Sequence, residues 1–291
     1  MKPASYGPFP YSPIIHRPRL VWPGEARVAL WVIPNIEFFS LQERPGGTGG
    51  GTVPDVPLWA TRDYGNRVGV FRLMEVLDRY GVRGTVALNS DVCAAHPFII
   101  AEGQKRGWEW MGHNETNTRR LNAAPPEEEA RIIRDCLATI ARATGAKPKG
   151  WLSSGLQETW GTLDLLAENG VEYVGDWVND EQPYSMSLQS GRRLVSVPYS
   201  HDINDKGAFE RMGLSAAGFQ DMICRQFDTL YREGEESGRV MAIALHPYLT
   251  GAPHRIGGLD GALDYICRHA GVWRATGAEI ALHYLAQTKE K

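Results

Sequence analysis

A chain of 291 residues with 43% hydrophobic and 22% charged side chains has enough apolar surface for a sizeable core, which excludes a largely disordered protein. Its 31 basic and 34 acidic residues give a net charge of -3, and no run of lysine or arginine could track a phosphate backbone, so no nucleic-acid partner is expected. Nowhere do about 18 apolar residues run together, and prolines interrupt the start where a signal peptide needs roughly 7 to 15 apolar residues; a cytoplasmic protein with no membrane partner is expected.

Residues 1-26 are rich in proline and aromatic residues and read as an extended arm, lying on the body or on a neighbouring subunit. "RVALWVI", from Arg27, is a nearly continuous apolar run ending at Pro34, the pattern of a strand buried on both faces. The glycine-rich run at 46-51 lacks the Lys-Ser/Thr of a phosphate cradle, so a lid or a subunit contact is the better reading. From residue 67 the chain alternates helix and strand. Val70, Leu73, Met74 and Leu77 recur at helical spacing, then "GTVAL" and "WEWMG" read as strands. A long helix opens at Pro125 and Pro126 with three glutamates in its first turn and is expected to bury Ile133, Leu137, Ile140 and Ala141.

The strand "KGWLS", a helix and the strand "VEYVG" follow. Residues 175-205 have no helical period, and irregular stretches of that length tend to be functional. A helix over 214-233 leads to the apolar strand "RVMAIAL", and a helix, a strand and a last helix finish the chain. This rhythm of about seven β-α units, without a composition break, predicts one α/β barrel over 27-291 behind the arm. Cys93, Cys136, Cys224 and Cys267 form no CxxC pair and read as reduced thiols.

Polar groups follow three apolar strands directly: Asn35 and Glu37 after the first, His113 to Asn117 after "WEWM", and His246 after "VMAIAL". Strand C-termini converge on one face of a parallel barrel, so these groups can share a site. Glu37 reads either as a partner for an arginine at the barrel mouth or as a general base, its pKa raised by Ile36, Phe38 and Phe39. His113 and His246 taken singly suit structural roles; their common position at strand ends favours function. Asp176, Trp177, Asn179 and Asp180 are substrate-side groups or turn residues, and Trp151 reads as a pocket wall. Ser153 and Ser154 lack the GxSxG of a nucleophile elbow.

In this order the clusters resemble the polysaccharide deacetylase superfamily, with its deformed barrel of NodB type. "NIEF" stands where that pattern has paired aspartates, "HNETN" where it has HxxxH, "GWLSSGL" at its arginine loop and "LHPY" at its late histidine. "RDYGNRVGVFRL", "VNDEQPY" and "VPYSHDIND" are similar to the allantoinase-like branch, which acts on cyclic ureides and imides. The departures are informative: Phe38 replaces the metal-binding aspartate and Asn117 the second metal histidine, leaving His113 alone of the usual triad.

The resemblance implies a single deformed (β/α)7 barrel and hydrolysis of the C-N bond of a small cyclic amide, imide or ureide. Glu37 would activate water, assisted by His246 and His113, with Asn35, Asn117, Trp151 and Asp180 binding substrate. A site needing no cofactor is the expectation; the alternative is a divalent metal, zinc, on Glu37, His113 and His246. Leu152 or a neighbour stands where the branch carries its loop arginine, which tilts the substrate from allantoin toward a simpler imide. The relatives and the arm imply a homodimer or homotetramer. The competing readings are a metal-dependent N-deacetylase of acetylated glycans and a catalytically dead binding protein.

Overall fold

The structure, a computed structural model, describes residues 6-43 and 52-288; the glycine-rich run at 46-51 lies outside them. Strands are β1 (Val28–Ile36), β2 (Thr85–Leu88), β3 (Glu109–Gly112), β4 (Gly150–Trp151), β5 (Tyr173–Val174), β6 (Tyr184–Ser185), β7 (Val195–Ser196), β8 (Arg239–Leu245) and β9 (Val272–Arg274). Between them lie helices α1 (Val56–Tyr64), α2 (Val70–Arg79), α3 (Asp91–Ala95), α4 (Pro97–Lys105), α5 (Pro126–Thr144), α6 (Thr162–Glu168), α7 (Ala216–Glu233) and α8 (Ile256–Cys267), with α9 (Gly277–Gln287) last. Among the described residues no helix is long and apolar enough to cross a membrane.

The strands form one curled sheet in the order β6-β7-β5-β4-β3-β2-β1-β8, with β9 added to the start of β1. All pairings are parallel except β6 with β7. This is the expected α/β barrel of NodB type, deformed because β7 and β8 are not neighbours in the sheet. The chain crosses that gap with the bridge between Asn204 and Ala244 and with Val240 N–H donating to Glu181 O at 2.8 Å.

Alternation along β1 builds two cores. Val28, Leu30, Val32 and Ile36 face the helices, whereas Ala29, Trp31 and Ile33 face the interior of the curl with Met111, Leu152, Tyr199, Ala242 and Ala244. The strand runs on past Pro34, which was expected to end it. Leu30 and Ile36 aim their carbonyls at Ala275 N and Asn89 N, so Pro34, of the same parity, presents its missing N–H to that edge. There β9 pairs only with residues 28-30 and β2 only from Asn35, so the proline forfeits no ladder bond.

The helices follow the sequence. Val70, Leu73, Met74 and Leu77 of α2 are buried, and α5 starts on Pro126 and ends where Gly145 turns left-handed at φ 73°. The arm, described from residue 6, lies on its own body. Phe9 meets Trp177 and Tyr184 edge to face, with centroids 5.2 and 5.0 Å away, and Trp22 Nε1 donates to Arg239 O at 2.9 Å. The four cysteines are free thiols, but only Cys136 is buried.

Candidate active site

Interior parity continues beyond the strand ends and decides which polar side chains meet. Asn35 and Glu37 continue Ala29, Trp31 and Ile33; His113 continues Met111; His246 continues Ala242 and Ala244. The register aligns the ends: Asn35 pairs with Ala87, Ala87 with Met111, and Pro34 with Leu245. All four polar side chains line one cavity of about 300 Å³ at the C-terminal edge of the sheet. Tyr199 also lines it, packs edge to face on the buried Trp31, with centroids 6.4 Å apart, and accepts from Asn35 Nδ2 at 3.3 Å.

Glu37 Oε1 stands 3.7 Å from His113 Nε2 and 3.7 Å from His246 Nε2. Each histidine is fixed through its other nitrogen. His113 Nδ1 lies 2.5 Å from Leu152 O, and since a carbonyl only accepts, that nitrogen carries the proton. Its Nε2 is buried without a partner. His246 Nδ1 bonds Asp205 Oδ1 at 2.6 Å; Asp205 Oδ2 accepts from His246 N at 2.7 Å and from Thr250 Oγ1 at 2.6 Å.

The electrostatics correct one expectation. Burial does push the Glu37 carboxyl up, but His113, His246 and Lys206 outweigh it and hold the group at about 2. Glu37 is therefore an anion at every working pH, and not a base poised near neutrality. For His246 burial favours the neutral ring, but the charges of Asp205 and Glu37 prevail and raise its pKa above 6.5. The imidazolium form is thus favoured over that of a free histidine, and its Nε2 faces Glu37.

Asn117 was expected to read the edge of a substrate, and it lines the cavity. However, its Nδ2 donates to Glu37 Oε1 and its Oδ1 accepts from Ser154 Oγ, so its amide is spent on positioning the carboxylate. Asn35 Nδ2 likewise serves Ile33 O, Tyr199 and Leu245 O at 3.2 to 3.3 Å. Phe38, at the superfamily's metal-aspartate position, packs against the outer core. Among the described residues no three His, Cys, Asp or Glu side chains are grouped to hold a metal ion. The residues present thus do not fit a metal of the superfamily's kind.

Two assigned residues lie elsewhere. Trp151 is fully buried on the helix side of the sheet, over Gly112, where a Cβ would come 2.4 Å from its ring; the next residue, Leu152, faces the cavity instead. In a strand, adjacent side chains cannot share a face. Asp180 lies outside this cavity and bonds Arg17 of the arm at 2.7 and 2.6 Å, so it anchors the arm.

The sequence reading missed Asp205, fully buried behind His246. Its signal was its place in "HDIND" at the end of the long irregular stretch, a polar cluster just after the apolar segment that holds β7. It also left open Asp176, which braces Ser153 N at 2.7 Å beside the Leu152 carbonyl that orients His113.

With this geometry in place, the relatives are informative. A polysaccharide deacetylase family model matches residues 50–174. A Schizosaccharomyces pombe protein described as a polysaccharide deacetylase is 26% identical over 243 residues, 77% of this chain and 75% of that one. A solved Pseudomonas aeruginosa PAO1 structure of the same description has 26% identity and a TM-score of 0.85 over 94% of this chain and 96% of its own. The PuuE allantoinase, at 24% identity, shares the fold with a TM-score of 0.84 over 94% of this chain and 96% of its own. The chain is thus similar to polysaccharide deacetylases in sequence and in fold.

Proposed function

We propose that the chain hydrolyses the ring C-N bond of a small cyclic amide, with a cyclic imide as the favoured class. One observation carries the reading: a carboxylate and two oppositely set histidines converge in a cavity of about 300 Å³ whose superfamily metal positions hold Phe38 and Asn117. A planar ring of five or six members suits that volume. PuuE allantoinase, which shares the fold, is by its name an enzyme of such a substrate class.

Ring opening needs a base for water, a donor for the oxyanion and an acid for the departing nitrogen. Water held at Glu37 Oε1 attacks the ring carbonyl carbon, and its proton passes to the lone pair of His113 Nε2, whose new charge faces the Glu37 carboxylate. His246 Nε2–H faces the developing oxyanion and then protonates the nitrogen as the C-N bond breaks. Asp205 keeps the proton on His246, much as the carboxylate of a catalytic triad orients its imidazole. The ring opens to an amide bearing a carboxylate, and the proton balance is restored through solvent.

The test is a panel of succinimide, phthalimide, hydantoin, allantoin and an N-acetylglucosamine oligomer, each assayed before and after exhaustive chelation. Imide opening that survives chelation is the expected result. Release of acetate from the oligomer, lost on chelation and restored by zinc, would replace this reading with a glycan N-deacetylase.

A further inference from the structure

The cavity holds more positive charge than ring hydrolysis uses. Arg62, Arg120 and Arg211 line it, and none pairs with a carboxylate among the described residues. Lys206, beside them, is neutralised by Glu210 at 2.9 Å.

Each arginine is positioned by the fold and has donors to spare. The Arg62 guanidinium carbon lies 4.7 Å from the Phe39 ring centroid and 5.0 Å from that of Tyr248. Its Nη1 donates to Leu58 O at 3.3 Å, while its Nε is buried with no partner. Arg120 lies on Gly155, where a Cβ would come 3.1 Å from Cζ. Arg211 lies on Gly207, where a Cβ would come 2.9 Å from Nη2. Two bare glycines of the cavity wall thus make room for two guanidinium groups. Glu37, His113 and His246 are buried deep, whereas Arg62 and Arg120 are half-buried and Arg211 is exposed, so the spare charge sits toward solvent.

We propose that these arginines form a carboxylate-binding wall, and that the substrate is a cyclic amide carrying a carboxylate on the side remote from the bond that is cleaved. This rests on the ring-hydrolysis reading for the bond and on the arginines for the handle. A guanidinium meets a carboxylate through paired N–H···O bonds, and partly buried donors left unpaired by a neutral ring weaken its binding.

The experiment compares succinimide with a succinimide bearing a carboxymethyl group, in the unaltered protein and in Arg120→Gln, Arg62→Gln and Arg62→Lys. Calorimetric titration with succinate, a dianion that cannot react, runs in parallel. The expected result is a lower KM for the acid-bearing ring. Arg120→Gln and Arg62→Gln each raise that KM roughly tenfold to a hundredfold, with kcat moving less, and succinate binding weakens alongside. Arg62→Lys retains charge and stacking and reports on folding. Equal KM values for the two rings in the unaltered protein would overturn the proposal. So would relief of product inhibition alone, which would assign the arginines to the carboxylate created by hydrolysis. If neither ring is opened, the hydrolysis reading fails by itself. Succinate binding that Arg120→Gln abolishes would then still uphold the wall, and its absence would refute that too.

Discussion

The two histidines of the site are built alike and tuned apart. Both present Nε2 at 3.7 Å from the same Glu37 oxygen, and both are fixed through Nδ1. His246 leans on the buried carboxylate of Asp205, His113 on the carbonyl of Leu152. A carboxylate supplies charge and holds a proton on the ring; a carbonyl supplies only orientation and leaves the far nitrogen as an acceptor. One fold thereby obtains a donor and an acceptor from the same residue type, on either side of a single carboxylate.

The most direct way to break this arrangement is to remove the charge between the histidines. Glu37→Gln keeps the shape and the contact from Asn117 but loses the anion that holds water and faces both rings. Turnover of the best imide should fall by about 10³ to 10⁴-fold, with the circular-dichroism spectrum unchanged; near-normal turnover would remove Glu37 from the mechanism. Asp205→Asn sharpens the contrast by making the two histidines alike. Burial, which lowers the His246 pKa, would then be opposed only by Glu37, so the imidazolium should be lost at lower pH. The proposed mechanism needs the protonated ring. The alkaline limb of kcat/KM, expected above pH 6.5 in the native protein, should therefore shift downward, with a fall of about 10 to 100-fold at neutral pH. A limb that stays in place would assign it to another group. The stability due to this couple has the same sign: it is full below the unfolded histidine pKa of about 6.5 and is lost as pH rises through the higher folded value.

How much of this could be read from sequence depended on how local each cause was. The runs of β1 and β8 are apolar on both faces and announced themselves, and with them came Glu37 and His246 at strand ends, with His113 after the shorter β3. Trp151 was misassigned because β4 is two residues long, too short for a period to show which face it takes. Asp205 went unassigned because its partner is 41 positions away across an irregular stretch. The Glu37 pKa was read in the wrong direction for a related reason. Its apolar neighbours in sequence signal burial, but the charges that decide its state come from three other places in the chain. That Phe38 and Asn117 are poor metal ligands was visible in the sequence; that Asn117 would brace Glu37 was not, because it depends on two loops meeting.

The smallest effect is expected where an assigned residue turned out to lie outside the site. Asp180 accepts both terminal nitrogens of Arg17 and also caps Glu181 N and Gln182 N at 2.8 and 3.0 Å. Arg17→Ala removes only the clasp between arm and body. The remaining arm contacts, Phe9 in its aromatic pocket and Trp22 on Arg239 O, stay in place. For a mostly buried pair, its side chains 17% and 11% exposed, the loss should be about 1 to 2 kcal/mol, a fall of roughly 2-8 °C in melting temperature for a domain of this size. Because the clasp touches no residue of the cavity, kcat and KM for the imide should match those of the native protein. A large loss of activity with little loss of stability would show that the arm reaches the site in solution and would return Asp180 to the substrate side.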